Sequence, residues 1–553
     1  MLMAGMCTWT VPWPMHNAVV PERDSRERLR KNNWAAGPGF TEICLLLLPQ
    51  SWTMILSKNN LEKIFSGRPE EALLPALFEL PEKVLQFGTG VLLRGLPDYF
   101  IDKANKQGLF NGRVVIVKST SAGDSGAFAT QDGLYTQCIR GVENGQKREE
   151  NIINASVSRV INAPNAWQEV LACAASPDMQ IVISNTTEVG ITLVEEDIHR
   201  NPPASFPGKL LAFLYRRYQA FNADRSKGMV ILPTELIIDN GKKLKSILLE
   251  LARFNNLEPA FADWVESNHF CSTLVDRIVP GKLAAAQHGQ VQQELGYADE
   301  LMIMSESYSL WAIEAADKQV NEILSFAPAG RGVVIQPDIN VFRELKLRLL
   351  NGTHTFSCGL AYLSGFRTVK EAMDNGDFTR FMESLMLQEI IPSITGETLS
   401  QSDAEDFARK VLDRFRNPHI EHLWLSITMQ YTSKMKMRNL PVLKKYYEHT
   451  GAVPHHMSLG FAAYLLFMKC ERGGDGKFYG SAQGNTYLVN DDSADYFSQA
   501  WQERDAGALV QLVLSNTALW DYDVSILPGF ADAVAANLER LQQAGAYQLL
   551  SGV

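Results

Sequence analysis

The chain has 553 residues, 46% of them apolar, which predicts more than one hydrophobic core and at least two domains. Its formal net charge of −10 leaves no basic field for nucleic acid or an anionic membrane surface, so both classes of partner are excluded. The seven cysteines show no C-x-x-C spacing and the ten histidines no H-E-x-x-H spacing. We therefore expect a cytoplasmic protein without disulfides, structural zinc or a catalytic metal.

Residues 1–53 differ from the rest of the chain because they lack a clear periodicity and end before Met54, which begins a segment typical of a natural start. We expect them to be an extension that is disordered or absent from the native protein. Their longest strongly apolar run, residues 43–49, is too short to span a bilayer.

From about residue 80 the sequence alternates between short apolar runs and segments of helical period. Strands are predicted at residues 83–87, 113–118, 179–184 and 228–232, and helices at residues 92–105 and 208–223. This alternation predicts a parallel sheet covered on both faces, so residues 54–280 are predicted to form an α/β, Rossmann-like dinucleotide-binding domain.

Beyond about residue 280 the runs typical of strands become rare. Helical period is found at residues 285–327, 338–350, 403–415, 419–431 and 528–549. Residues 281–553 are therefore predicted to form a mainly α-helical substrate and catalytic domain.

A glycine turn, Gly88-Thr89-Gly90, follows the first predicted strand and opens a predicted helix. The first glycine permits a tight turn and the second lets the backbone approach a pyrophosphate, although Leu93 stands where a third glycine is usual. The predicted cofactor site comprises Phe87, Gly88, Thr89, Gly90, Val91, Leu92, Leu93, Arg94 and Gly95. The second strand ends at Lys118 with no carboxylate before Asp124, so these residues leave NAD and NADP both open.

Polar segments at residues 184–188 and 234–241 follow the third and fourth predicted strands, where open α/β sheets bind ligands. Each either faces the cleft, with Glu235 a candidate substrate contact, or forms an ordinary cap or turn. Asp276 and Arg277, shortly before Pro280, fit either an ion pair at a domain junction or direct substrate contact.

Lys346, Asn351 and His354 lie within one predicted helix, where all three could lean toward one side. A cation that can lose a proton, an amide donor and an imidazole suit the protonation of a ketone oxygen. The same residues also fit a solvated helix that ends at Asn351-Gly352.

Further cations follow, and they fit either a carboxylate-binding site or an ordinary helix surface. They lie in the segments Arg414–His419 and Ser433–Arg438, and the second includes Lys434, Lys436 and Arg438.

Three ordered motifs resemble those of the mannitol dehydrogenase family of polyol and sugar-acid dehydrogenases, over roughly residues 80–550. The family pattern G-x-G-x-F-x-R corresponds to residues 88–94, with Leu92 in place of the aromatic residue. Residues 275–280 match V-D-R-I-x-P, and Lys346, Asn351 and His354 match K-x-x-x-x-N-x-x-H.

The resemblance implies NAD as cofactor and hydride transfer to a small-molecule substrate. It also implies Lys346 as general acid and base, Asn351 as donor to the carbonyl oxygen, and His354 as the residue that orients this oxygen or relays the proton. The segments at residues 86–90, 131–135, 184–188 and 234–237 are similar to the branch that interconverts tagaturonate and altronate. Leu236 replaces an asparagine of the polyol enzymes, which favours a sugar acid.

The carboxylate of such a substrate is expected to meet Arg277, Lys434, Lys436 or Arg438. Two alternatives remain. One is another reaction of the family, on fructuronate, mannitol or a sugar phosphate, and the other is a nucleotide-binding protein without catalysis.

Overall fold

A computed structural model of the chain describes residues 54–66, 75–120, 125–186, 190–502 and 505–550. The predicted extension at residues 1–53 lies outside the described residues, as do Asp124 and the end of the polar segment at residues 184–188.

The first half of the described chain mixes strands and helices, as predicted. Its strands are β1 Glu82–Phe87, β2 Arg113–Lys118, β3 Tyr135–Glu143, β4 Gln146–Asn154, β5 Val157–Asn162, β6 Ile181–Ser184, β7 Val230–Pro233, β8 His269–Phe270, β9 Thr273–Asp276, β10 Ile303–Glu306, β11 Leu310–Glu314 and β12 Val333–Gln336. Its helices are α1 Leu61–Ile64, α2 Val91–Gly95, α3 Pro97–Lys106, α4 Gly126–Thr130, α5 Ala163–Cys173, α6 Phe206–Ala220, α7 Asn240–Phe254, α8 Pro259–Glu266, α9 Ala285–Leu295 and α10 Lys318–Ile323.

The central sheet has six strands in the order β5-β2-β1-β6-β7-β8, and each neighbouring pair is parallel. Alternate side chains of β1 enter different cores, since Val84 packs on the side of α3 and Leu85 on the side of α5, α6 and α7. The strand order changes direction between β1 and β6, and open α/β sheets bind ligands at such a point, beyond the carboxyl ends of the strands. The predicted Rossmann-like domain is confirmed.

The prediction that residues 285–327 are helical was wrong in part. Helix α9 is followed by β10, which pairs with β3, and by β11, which pairs with β9 and β12. Runs of four or five apolar residues fit a buried helix or a strand equally well, and here partners distant in sequence decide in favour of strands. The helix predicted at residues 92–105 is interrupted at Leu96, directly before Pro97.

The second half is mainly helical, with one small antiparallel sheet. Its helices are α11 Asn340–Leu345, α12 Thr353–Leu363, α13 Val369–Met373, α14 Gly376–Ser384, α15 Ile391–Ile394, α16 Gln401–Phe415, α17 Trp424–Ile427, α18 Tyr431–Lys434, α19 Leu440–Thr450, α20 His455–Phe467, α21 Ala494–Ala500, α22 Ala506–Leu514, α23 Thr517–Trp520, α24 Phe530–Ala544 and α25 Ala546–Leu550. Strands β13 Glu471–Arg472, β14 Phe478–Ala482 and β15 Asn485–Leu488 form the sheet. π-Helical segments occupy Lys346–Gly352, Leu385–Ile390 and Met435–Asn439.

One hydrophobic core extends through this half, from Leu345 to Leu550. The helix predicted at residues 403–415 is confirmed as α16, but residues 419–431 contain only the short α17 and the start of α18. The domain boundary predicted at residue 280 stays a prediction. No helix among the described residues is long and apolar enough to cross a membrane.

Candidate active site

The glycine turn lies at the point where the strand order of the central sheet changes direction. Gly88 has φ +129°, and its N–H donates to the Val117 carbonyl at 3.1 Å. A Cβ atom at Gly88 would lie 3.3 Å from the carbonyl oxygen of Asn185, the residue that follows β6. At Gly90 an added Cβ would meet no atom within 4 Å among the described residues. Gly88 is therefore required by the positive φ and the close packing of the turn itself, whereas the space beside Gly90 is open to a ligand.

The nine residues predicted to bind a cofactor fall into two groups. Those at positions 88–92 are partly or fully exposed around the turn. Phe87, Leu93, Arg94 and Gly95 are buried. Arg94 donates to the Leu301 carbonyl at 2.7 Å, so its guanidinium binds the protein interior. Residues 88–92 are therefore accessible to a nucleotide, whereas the four buried residues pack beneath the turn and support it.

The stretch that carries Lys346 and Asn351 is helical, as predicted, but it is a π-helix. In an α-helix with 3.6 residues per turn, residues five apart point in different directions. In a π-helix the hydrogen bonds run from residue i to i+5, so residues five apart lie one above the other. The π-helix therefore places Lys346 and Asn351 on one side, which a regular α-helix would not. Short π-helical segments are frequent at functional sites.

The Lys346 ammonium reaches from this helix to the end of β9. Its Nζ donates to the Val275 carbonyl at 2.9 Å and lies 3.6 Å from Asp276 Oδ1, with 12% of the side chain exposed. Asp276 also accepts two hydrogen bonds from Arg414, at 2.8 and 3.0 Å. Arg414 in turn donates to both carboxylate oxygens of Glu306, at 2.9 and 3.0 Å. Asp276, Glu306, Lys346 and Arg414 form a buried ionic cluster that joins the two halves of the chain.

The two carboxyls of the ionic cluster respond to burial differently. For Asp276, burial favours the neutral form, but the charges of Arg414 and Lys346 outweigh it and hold the pKa below its ordinary value. For Glu306, burial prevails over the attraction of Arg414 and the pKa is raised. The domain-junction interpretation of Asp276 agrees with this geometry, but its arginine partner is Arg414 and not the adjacent Arg277.

His354 is almost fully buried, with 3% of the residue exposed. Its ring stacks on Phe415 at 4.2 Å and meets His422 and Trp424 edge to face at 5.1 and 5.9 Å. Burial, together with the nearby cations, lowers its pKa well below the ordinary value. The imidazole is therefore neutral near pH 7, a form in which one ring nitrogen donates and the other accepts.

The residues predicted to bind the substrate already have partners in the protein. Arg277 donates to the carbonyls of Glu306 and Gly95, and burial lowers its pKa to about 10. Lys434 donates to the Ile427 carbonyl at 2.8 Å. Lys436 pairs with Asp521 at 2.7 Å, and Arg438 donates to Thr355 Oγ1 at 3.2 Å. Their roles toward a substrate stay predictions.

Glu235 is buried and holds the polar segment that follows β6. Its carboxylate accepts from the Thr186 N–H at 2.8 Å, the Thr186 hydroxyl at 3.0 Å and the Ser184 hydroxyl at 3.2 Å. Burial raises its pKa in spite of these hydrogen bonds. Glu235 thus fixes one wall of the crevice beside the glycine turn, and its direct contact with a substrate stays a prediction.

Sequence reasoning missed two features of the site. It singled out Asp276 and Arg414 separately, but nothing local in the sequence indicates that residues 138 apart form an ion pair. It also missed Asp98, a fully buried carboxyl in the first turn of α3. No local signal indicated the burial of Asp98, because acidic residues are common in the first turn of a helix, where they are ordinarily exposed.

Comparisons with known proteins agree with this architecture. The Rossmann domain of mannitol dehydrogenase matches residues 82–324, and the C-terminal domain of mannitol dehydrogenase matches residues 338–542. The altronate oxidoreductase of Bacillus subtilis (strain 168) is 38% identical over 85% of this chain and 95% of its own length. That of Yersinia enterocolitica is 36% identical over 84% of this chain and 95% of its own length.

Two solved structures share the fold. The ternary complex of Pseudomonas fluorescens mannitol 2-dehydrogenase with NAD and D-mannitol has a TM-score of 0.61 and 22% identity, covering 90% of this chain and 99% of that one. A D-sorbitol dehydrogenase has a TM-score of 0.70 and 19% identity, covering 90% of this chain and 100% of that one. The chain belongs to the mannitol dehydrogenase family and is a dehydrogenase that acts on CH–OH groups.

Proposed function

We propose that the protein is an NAD-dependent oxidoreductase that interconverts tagaturonate and altronate, with Lys346 as general acid and base. The observation that carries the proposal is the position of Lys346. Its ammonium is largely buried, is held at the end of β9, and shares one side of a π-helix with the Asn351 amide. The names of the relatives at 36–38% identity support altronate as the substrate.

The residues around the glycine turn fit a dinucleotide. Gly90 has open space on its Cβ side, and the turn lies where the strand order changes direction between β1 and β6, as in dinucleotide sites of this fold. When bound there, the nicotinamide supplies hydride to a ketone or accepts it from an alcohol. NAD is proposed on the family precedent, and NADP is the alternative because β2 ends at Lys118 without a carboxylate.

The proposed roles of Lys346, Asn351 and His354 follow from the chemistry of their side chains. During ketone reduction Lys346 Nζ gives a proton to the new alkoxide oxygen, and during alcohol oxidation it takes the proton back. The Asn351 amide donates to the same oxygen and stabilises its developing negative charge. The neutral imidazole of His354, held in place by its stacking on Phe415, orients that oxygen.

The sugar-acid carboxylate needs a cation, and the four predicted ones differ in how easily they can exchange partners. Arg277 and Lys434 are buried and bonded to backbone carbonyls, so withdrawing them would leave those carbonyls unsatisfied. Lys436 pairs with an exposed carboxylate, a type of interaction worth only about 0–1 kcal/mol. We therefore propose Lys436 ahead of Arg277 and Lys434 as the carboxylate ligand, and Arg438 stays a further candidate.

A substrate panel tests the proposed function. The purified protein is mixed with NADH and then with tagaturonate, fructuronate, fructose or a ketose phosphate, and the loss of reduced nicotinamide absorbance is followed. We expect the highest kcat/KM with tagaturonate, and a higher value with NADH than with NADPH. A preference for fructuronate or fructose would assign another reaction of the family, and tight NADH binding without turnover on any substrate would indicate a nucleotide-binding protein.

A further inference from the structure

A buried amide and a buried carboxyl lie directly beneath the glycine turn. Asp98, the second residue of α3, and Gln86, on β1, are both 0% exposed. Gln86 Nε2 lies 3.3 Å from Asp98 Oδ2 and 3.4 Å from the Gly88 carbonyl oxygen, and it can donate to both. The Gln86 amide thus connects the carboxyl of Asp98 to the backbone of the turn.

The count of donors and acceptors in this pair indicates a proton on Asp98. Among the described residues no donor reaches Asp98 Oδ1 or Gln86 Oε1, and neither atom is accessible to solvent. An ionised carboxylate only accepts hydrogen bonds, so it would leave two buried acceptors unsatisfied. A protonated carboxyl has one O–H donor, which can serve the amide oxygen while the amide N–H serves the carboxyl.

The charged and titratable groups around Asp98 come from three elements. Arg94 on α2 favours the ionised form, but its Nη1 donates to the Leu301 carbonyl. Asp102 on α3 opposes ionisation, and the phenol of Tyr135 on β3 donates to the Arg94 carbonyl. Burial outweighs the Gln86 hydrogen bond and the Arg94 charge and raises the pKa of Asp98 to about 7.

We propose that Asp98 is a positioning residue for the cofactor: as a neutral acid paired with the Gln86 amide it holds the glycine turn in its binding shape, and its ionisation weakens dinucleotide binding. The inference rests on the proposed cofactor site but does not depend on which sugar acid is the substrate. It predicts that the affinity for the dinucleotide depends on the protonation of Asp98, which is not one of the residues proposed to act on the substrate.

The test is the dissociation constant of NADH, measured without substrate by fluorescence from about pH 6 to about pH 9, a range that spans the titration of Asp98. For the wild-type protein we expect the dissociation constant to rise above neutral pH, with a limiting slope of about tenfold per pH unit. Asp98→Asn, whose amide imitates the neutral acid, should bind with a flat profile. Asp102→Asn is the matched control, since Asp102 lies one turn further along α3 and pairs with Lys106 at 2.6 Å. The dissociation constant of Asp102→Asn should rise with the same limiting slope as that of the wild type, but from a lower pH, because a charge that opposes the ionisation of Asp98 is removed.

The inference is overturned if the NADH dissociation constant of the wild type does not change with pH. It is also overturned if that of Asp98→Asn rises with pH as steeply as that of the wild type. Gln86→Met provides a second variant if Asp98→Asn fails to fold, because it removes the amide at similar volume and should weaken NADH binding at every pH. Wild-type affinity in Gln86→Met would also overturn the inference. Absence of NADH binding at every pH would overturn the cofactor assignment as well, so the two failures can be told apart.

Discussion

Removal of Arg414 is the sharpest test of the ionic cluster that joins the two halves of the chain. Arg414→Leu leaves Asp276 and Glu306, both almost inaccessible to solvent, without the guanidinium that donates to all four of their carboxylate oxygens. Loss of one partner from a buried ion pair typically costs about 3–5 kcal/mol, because the remaining charge stays buried. We expect the free energy of unfolding to fall by about that amount at pH 8.

Arg409→Leu on the same helix is the matched control. Arg409 is 65% exposed and pairs with Asp406 within the helix, so its loss should cost only about 0–1 kcal/mol. Urea titrations followed by tryptophan fluorescence measure both variants against the wild type. A difference below about 1 kcal/mol between Arg414→Leu and Arg409→Leu at pH 8 would refute the assigned role of the cluster.

The pH dependence of the Arg414→Leu effect adds a second check. In the wild type the pKa of Asp276 is lowered, so its stabilising contribution is present above its unfolded pKa and is lost as the pH falls through the folded one. Without Arg414 both buried carboxyls take up protons more readily in the folded state, so the stability of the variant should rise as the pH falls from 8 toward 5. The difference in the free energy of unfolding between Arg414→Leu and the wild type should therefore become smaller as the pH falls.

Three further predictions concern the site itself. Lys346→Met should keep NADH binding but lower kcat by about 10²–10⁴-fold in steady-state assays across pH. Gly90→Ala should raise the NADH dissociation constant, at a steric cost of about 1–3 kcal/mol, with little change in Tm, whereas Gly88→Ala should lower Tm because of its positive φ. Glu235→Met should cost about 1–3 kcal/mol in thermal unfolding, since the N–H and the hydroxyl of Thr186 then lose their acceptor.

The parts of the fold that could be predicted are those determined by local sequence. Strand β2 was predicted with its observed bounds, because six consecutive buried residues rich in valine and isoleucine allow few other structures. The glycine turn was predicted because its two glycines stand between a strand and a helix. Strands β10 and β11 could not be predicted, because their partners lie far away in sequence and only those partners distinguish them from helix.

The hydrogen-bond partners of the cations predicted to bind the substrate could not be predicted from the local sequence either. Nothing in the sequence around Arg277 shows that its donors reach the carbonyls of Glu306 and Gly95. The spacing of Lys346 and Asn351 did contain a usable signal. A separation of five suits a π-helix and not an α-helix, so a functional pair at that spacing indicates the helix type that the structure contains.

The segment at residues 275–280 contacts both Lys346, the proposed proton donor, and the helix that follows the glycine turn. Val275 and Asp276 hold the Lys346 ammonium, and Arg277 donates to the carbonyl of Gly95 at the end of α2. A Cβ at Gly95 would lie 2.9 Å from the Val279 side chain, so the glycine-turn helix packs directly on the same segment. Six consecutive residues therefore contact both the helix that follows the glycine turn proposed to bind the cofactor and Lys346, the proposed general acid and base. Because both sets of contacts are made by so short a segment, the position of Lys346 relative to the glycine turn depends on these local contacts as well as on the packing of the two halves of the chain.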